Sequence, residues 1–66
     1  MKVTFTVTGS NAEELGVKAI DELRRMNGVP DGEAWQPLSC EIHASPVAQR
    51  DDGTVALWEG DVEAEV

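Results

Sequence analysis

At 66 residues the chain has room for one domain. Thirteen acids against five bases leave a formal charge of -8 at pH 7, which argues against direct binding of nucleic acid, because phosphates repel carboxylates. Hydrophobic residues at 41% and charged residues at 27% make a globular rather than a disordered balance, but so short a chain hides only about 60% of its unfolded surface, which excludes a large enclosed active site.

No run approaches the roughly 20 apolar residues of a membrane span, and the N-terminus carries no apolar signal stretch. Cys40 is the single cysteine and has no internal disulfide partner. A cytoplasmic location is the expectation from these features.

The first segment, Lys2 to Thr8, alternates without a fault. Val3, Phe5 and Val7 share one face; Lys2, Thr4, Thr6 and Thr8 share the other. Period two with β-branched and aromatic residues predicts a half-buried strand. A helix should follow. Ser10 with Glu13, or Asn11 with Glu14, makes a capping box. Ala12, Leu15, Gly16, Ala19, Ile20, Leu23 and Met26 fall within an arc of roughly 140°, a core-facing stripe. Glu14–Lys18 and Asp21–Arg25 are favourably ordered (i, i+4) pairs. Gly16 costs about 1 kcal/mol in a helix interior, and its place on the buried arc suggests a close approach to the sheet. Asn27-Gly28 supplies a left-handed stop, with Pro30 just beyond.

Asn27 to Glu33 reads as a loop. A long strand candidate runs from about Ala34 to Arg50. Leu38, Cys40, Ile42 and Ala44 face inward; Ser39, Glu41, His43 and Ser45 face outward. Pro37 and Pro46 place it at a sheet edge or bend it. Asp51-Asp52-Gly53 forms the turn into a last strand, Thr54 to Val66. A two-residue loop would set Ile42 beside Glu63. A three-residue loop with Gly53 left-handed instead pairs Arg50 with Thr54, Cys40 with Ala64 and Ile42 with Val62, so inward residues meet inward residues. The second register is adopted, with Glu41 opposite Glu63 as its one like-charge pair.

Strand, helix and hairpin give an α+β chain of βαββ order. The expected fold is a three-stranded antiparallel sheet of order 1-3-2 with the helix on one face. At the hairpin tip Val47, Val55 and Leu57 face away from the helix, while Ala48, Ala56 and Trp58 face the other way. One helix cannot cover both sides, and a small monomer rarely exposes such a patch without a use. Val47, Val55, Leu57 and Trp58 are therefore the expected interface of a homo-oligomer. The competing expectation is a β-bulge near Leu57 that turns these residues back to the core.

The chain carries no catalytic set. His43, the one histidine, is a general base or metal ligand on one reading; a surface cross-strand pair with Asp61 is the preferred one. No nucleophile completes a triad, and a single histidine among scattered carboxylates is not a metal motif. Cys40 should be an inert buried thiol. No metal, cofactor or enzymatic activity is expected. Trp35, before Gln36-Pro37, is either a hydrophobic lid on the helix end, the preferred reading, or a stacking platform for a flat ligand. Glu41, Glu59, Asp61, Glu63 and Glu65 line one face, and from Asp51 to Val66 there are six acids and no base. That face keeps the chain in solution, or docks a basic protein surface with salt-sensitive association.

Met1 to Thr8, Glu14 to Arg25 and Thr54 to Val66, above all the closing Ala-Leu-Trp-Glu-Gly-Asp-Val-Glu-Ala-Glu-Val, resemble small acidic proteins of actinobacteriophages of the mycobacteriophage type. That resemblance implies a phage protein acting in a bacterial host cytoplasm, where such products bind host proteins. In βαββ order and length the chain also looks like the dodecins, flavin-binding proteins that assemble as dodecamers. This second likeness, of topology alone, implies an oligomer holding a flat molecule such as flavin against Trp35.

Overall fold

The fold is described from a computed structural model covering residues 1–66. Strand β1 (Lys2–Gly9) leads into helix α1 (Ala12–Met26), and a loop leads to β2 (Ser39–Gln49) and β3 (Val55–Glu65). The three strands form one antiparallel sheet in the order β1-β3-β2. This is the βαββ arrangement that the alternation and the helical stripe predict. No helix is long and apolar enough to cross a membrane.

Local chemistry fixes each boundary. Asn11 is the helix N-cap, its Oδ1 accepting the Glu14 N–H at 2.8 Å, so one donor that the first turn cannot satisfy finds a partner. Ser10 donates to the Glu14 carboxylate at 2.7 Å, and Lys18 pairs with the same carboxylate at 3.1 Å. At the other end Gly28, at φ 66°, takes the left-handed position. Val29 N–H then reaches the Arg24 carbonyl and Gly28 N–H the Arg25 carbonyl, the two bonds of a Schellman stop. Arg24 donates to the Glu33 carbonyl at 2.8 Å and holds the following loop to the helix. The expected Asp21–Arg25 pair does not form; Arg25 pairs with Glu22, one residue nearer.

The register is the one that the three-residue turn demands. Arg50 N–H donates to the Thr54 carbonyl at 2.7 Å, and Gly53 sits at φ 87°. Cys40 faces Ala64, Ile42 faces Val62, and Glu41 faces Glu63. Chain ends close the sheet: the Met1 ammonium donates to the Val66 carbonyl at 2.7 Å and Val66 N–H returns a bond of 2.9 Å.

The core is as thin as the length predicts. Leu15, Ala19 and Leu23 on the helix meet Val62 and Ala64 on the central strand, and these five are the buried hydrophobic residues. The helix lies mainly over β1 and β3 and touches β2 least. That placement corrects several expectations. Leu38 precedes β2 and is 80% exposed rather than inward; Ala44 is exposed, and Cys40 is only half-buried. Met26 and Ala12 close the helical stripe at its ends, beyond the sheet contact, and are exposed. A Cβ at Gly16 would meet nothing within 4 Å, so no close approach explains that glycine. The strand of Ala34 to Arg50 begins only at Ser39.

The hairpin outruns the helix. Fifteen helical residues span about 22 Å, whereas the eleven of β3 span about 36 Å. β1 ends with Gly9 opposite Trp58, so beyond Trp58 the sheet narrows to a two-stranded arm. The molecule measures 41 × 23 × 13 Å with a radius of gyration of 13.2 Å, against about 11 Å for a compact chain of this length. Its accessible surface of 4533 Å² exceeds the roughly 4100 Å² typical of a monomer of this mass.

The ladder slips twice in the arm. Pairing runs from Pro46–Trp58 to Ala48–Leu57 and then to Gln49–Val55, so Val47 and Ala56 are each skipped. Two opposed bulges restore the register before the turn. The bulge and the exposed tip, posed as alternatives by the sequence, coexist. Val55, Leu57 and Trp58 are half-buried, while Val47 remains 54% exposed.

Candidate functional site

The uncovered face of the sheet is built from three aligned strands. Across it run the rows Lys2–Glu65–Ser39, Thr4–Glu63–Glu41, Thr6–Asp61–His43 and Thr8–Glu59–Ser45. Period-two alternation puts every one of these side chains on the side opposite α1, and all but the half-buried Glu65 are exposed. The predicted acidic face therefore comes together as one surface containing Glu41, Glu59, Asp61, Glu63 and Glu65. Its acids are concentrated on the central strand, Lys2 at one corner is its only lysine or arginine, and the Met1 ammonium lies 3.4 Å from a Glu65 carboxylate oxygen.

Within this face Glu41, His43 and Glu63 bring one imidazole and two carboxylates within 4.8 Å of one another. His43 Nε2 lies 3.8 Å from a Glu41 carboxylate oxygen. The three could reach a common cation, but all stand in open solvent, and no hydrogen bond orients the imidazole. A metal ligand or general base needs such support to be held in place. No hydroxyl or thiol donates a hydrogen bond to His43. The cross-strand relation to Asp61 is the predicted one.

The arm is the second candidate. Its turn is stiffened by Asp52, whose Oδ1 accepts the Thr54 N–H at 2.9 Å and the Thr54 hydroxyl at 2.6 Å. These bonds hold the Asp52 carboxyl below its ordinary range. Arg50 reaches across the ribbon to the Val55 carbonyl at 3.2 Å. The structure thus brings Val47, Val55, Leu57 and Trp58 onto one projecting ribbon, with Val47 the most open of the four. Trp35 stands apart in the loop before β2, half-buried, and lines neither of the two main surface grooves.

The larger groove was not anticipated. It opens between α1 and β1 and is lined largely by polar groups, among them Thr6, Thr8, Lys18, Asp21, Glu22 and Arg25. Lys18 spans it, donating to the Thr8 carbonyl at 2.6 Å. The sequence held the signal: a chain of strand order 1-3-2 leaves β1 at an edge, and β1 contains no proline. No family model matches the chain, and neither the curated proteins nor the solved structures searched contain a match to it.

Proposed function

We propose that this is a non-enzymatic acidic protein of phage type that self-associates and docks a basic surface on a host protein. The observation that carries this reading is the mismatch between one short helix and a longer hairpin. It leaves an apolar arm beyond the helix, and the acidic sheet face, on the side away from the single helix, has no covering layer either. An exposed valine on a projecting ribbon favours contact with another copy. A face rich in carboxylates favours a basic partner, with fast and salt-sensitive association. The lack of a supported nucleophile, base or enclosed cavity favours binding over catalysis.

Sedimentation at tens of micromolar tests the first half: a mass above that of the 7.1 kDa chain is expected, and a strict monomer refutes self-association. For the second half, the protein immobilised through its N-terminus should capture a basic host protein, lose it as salt rises, and lose it on replacing Glu59 and Glu63 by Gln. Capture that ignores both salt and these substitutions removes the acidic face from the account.

A further inference from the structure

We infer that two copies of this chain join through the free edge of β1, adding strand to strand in antiparallel fashion to make a six-stranded sheet with both helices on one side. The inference rests on the self-association reading and names a surface for it other than the apolar arm.

Hydrogen-bond phase identifies the open groups. Met1 and Val66 exchange both of their backbone bonds. In an antiparallel ladder, pairs that exchange bonds alternate with pairs that do not. Val3, Phe5 and Val7 therefore bond to β3, and Lys2, Thr4, Thr6 and Thr8 turn N–H and C=O toward the edge. Lys18 taking the Thr8 carbonyl from that side agrees with this phase. Lys2, Thr4 and Thr6 are left with donors and acceptors that no other strand meets. An unbroken, proline-free edge of this kind is a template for another strand.

The opposite edge of the sheet is blunted. Pro46 has no N–H to offer, and the slipped pairing next to it bends β2. Joining β1 of one copy to β2 of the next would propagate an open fibre, whereas joining β1 to β1 about a two-fold axis closes after two copies. The difference between the edges selects the closed form.

Charge selects the same side. Four of the five bases, Lys2, Lys18, Arg24 and Arg25, belong to β1 and α1. The helix flank beside the edge mixes signs, with Lys18 and Arg25 among Glu14, Asp21 and Glu22. A two-fold axis runs the two helices antiparallel, so Lys18 of one copy can stand beside Glu22 of the other. The acidic sheet face, by contrast, repels its own copy. Along β1 and α1 the four bases meet four acids, Glu13, Glu14, Asp21 and Glu22, so this side of a chain of charge -8 is near neutrality.

Thr6→Pro tests the pairing. It deletes an N–H that points out of the sheet and removes no bond to β3. Sedimentation of the wild-type protein should give twice the chain mass, and Thr6→Pro should give the single-chain mass with circular dichroism unchanged. In the wild-type protein the Thr4 and Thr6 amides should exchange with deuterium about 100-fold more slowly than open edge amides, with the protection falling on dilution. That measurement decides the matter even if the proline variant does not fold. An oligomer in which those amides exchange freely, or which survives Thr6→Pro intact, overturns the β1 pairing while leaving self-association standing. A wild-type monomer at every concentration overturns both.

Discussion

Gly60 on the central strand sits so close to Ile42 on β2 that a Cβ at position 60 would lie 2.8 Å from the Ile42 Cγ2 atom. The same Cβ would also press on Leu15 and Val7 at 3.4 Å. Gly60 thus lets the helix, β1 and β2 converge over the middle of β3. Gly60→Ala should destabilise the fold by about 1–3 kcal/mol, as overpacking does, measured by urea unfolding. The obstructing atom is the branch methyl of a strand residue, which has little freedom to swing aside. Ile42→Ala removes that methyl, so the cost of Gly60→Ala should shrink in the double variant. An unchanged cost there would refute the contact.

Burial separates leucines that look alike in the sequence. Leu23 is fully buried and Leu38 is 80% exposed. Leu23→Ala should cost about 2–5 kcal/mol, enough to unfold much of so small a domain at room temperature. Leu38→Ala should change stability by less than about 0.5 kcal/mol. Thermal melts of the two variants distinguish them, and equal losses would contradict the placement of the helix away from β2.

Acid should loosen the helix start through Glu14. Its carboxyl lies below its ordinary value of 4.5, first through the Ser10 hydroxyl and then through Lys18. A carboxyl with a lowered folded-state pKa contributes stability above its unfolded value and loses it as pH falls through the folded one. Glu14→Gln should therefore lower the melting temperature at neutral pH and have less effect in strong acid. Melts from pH 7 down to pH 3 report the difference, and a Glu14→Gln loss that grows toward acid would contradict this sign.

Across the open sheet face Glu41 stands opposite Glu63. Like charges in that position are destabilising. Glu41→Lys should stabilise the protein by about 0.2–1 kcal/mol, and the gain should fall as salt is added because the pair is exposed. Urea titrations at low and high salt measure both effects. A loss of stability would mean that Glu41 serves a contact the row Thr4–Glu63–Glu41 does not reveal.

Much of the architecture was legible before any coordinates. Alternation in Lys2 to Thr8 and from Ser39 onward identifies strands, because side chains on a pleated strand switch faces at every residue. Asp51-Asp52-Gly53 sets the register, because Gly53 alone tolerates the left-handed position of a three-residue turn. The prolines push β2 outward and leave β3 in the centre. The acidic face followed from the same alternation, so its five carboxylates were legible as a group. The His43 neighbourhood was legible too, once the register was chosen.

What alternation cannot convey is coverage. It says which side of the sheet Leu38, Cys40 and Ala44 occupy, which is a local property of the backbone. Whether anything lies over them depends on where the helix comes to rest. That is decided by the joint packing of Leu15, Ala19 and Leu23 against Val62 and Ala64 and by the space that Gly60 provides. The helix settles over β1 and β3, so Leu38 and Ala44 meet solvent, Cys40 is only half-buried, and Gly16 needs no neighbour. The paired bulges at Val47 and Ala56 belong to the same class, because they arise between two strands and leave no mark in either one alone. The sequence thus determined the elements, their order and their register through local backbone chemistry, and only tertiary packing decided which apolar surface was hidden, because coverage depends on where the helix comes to rest.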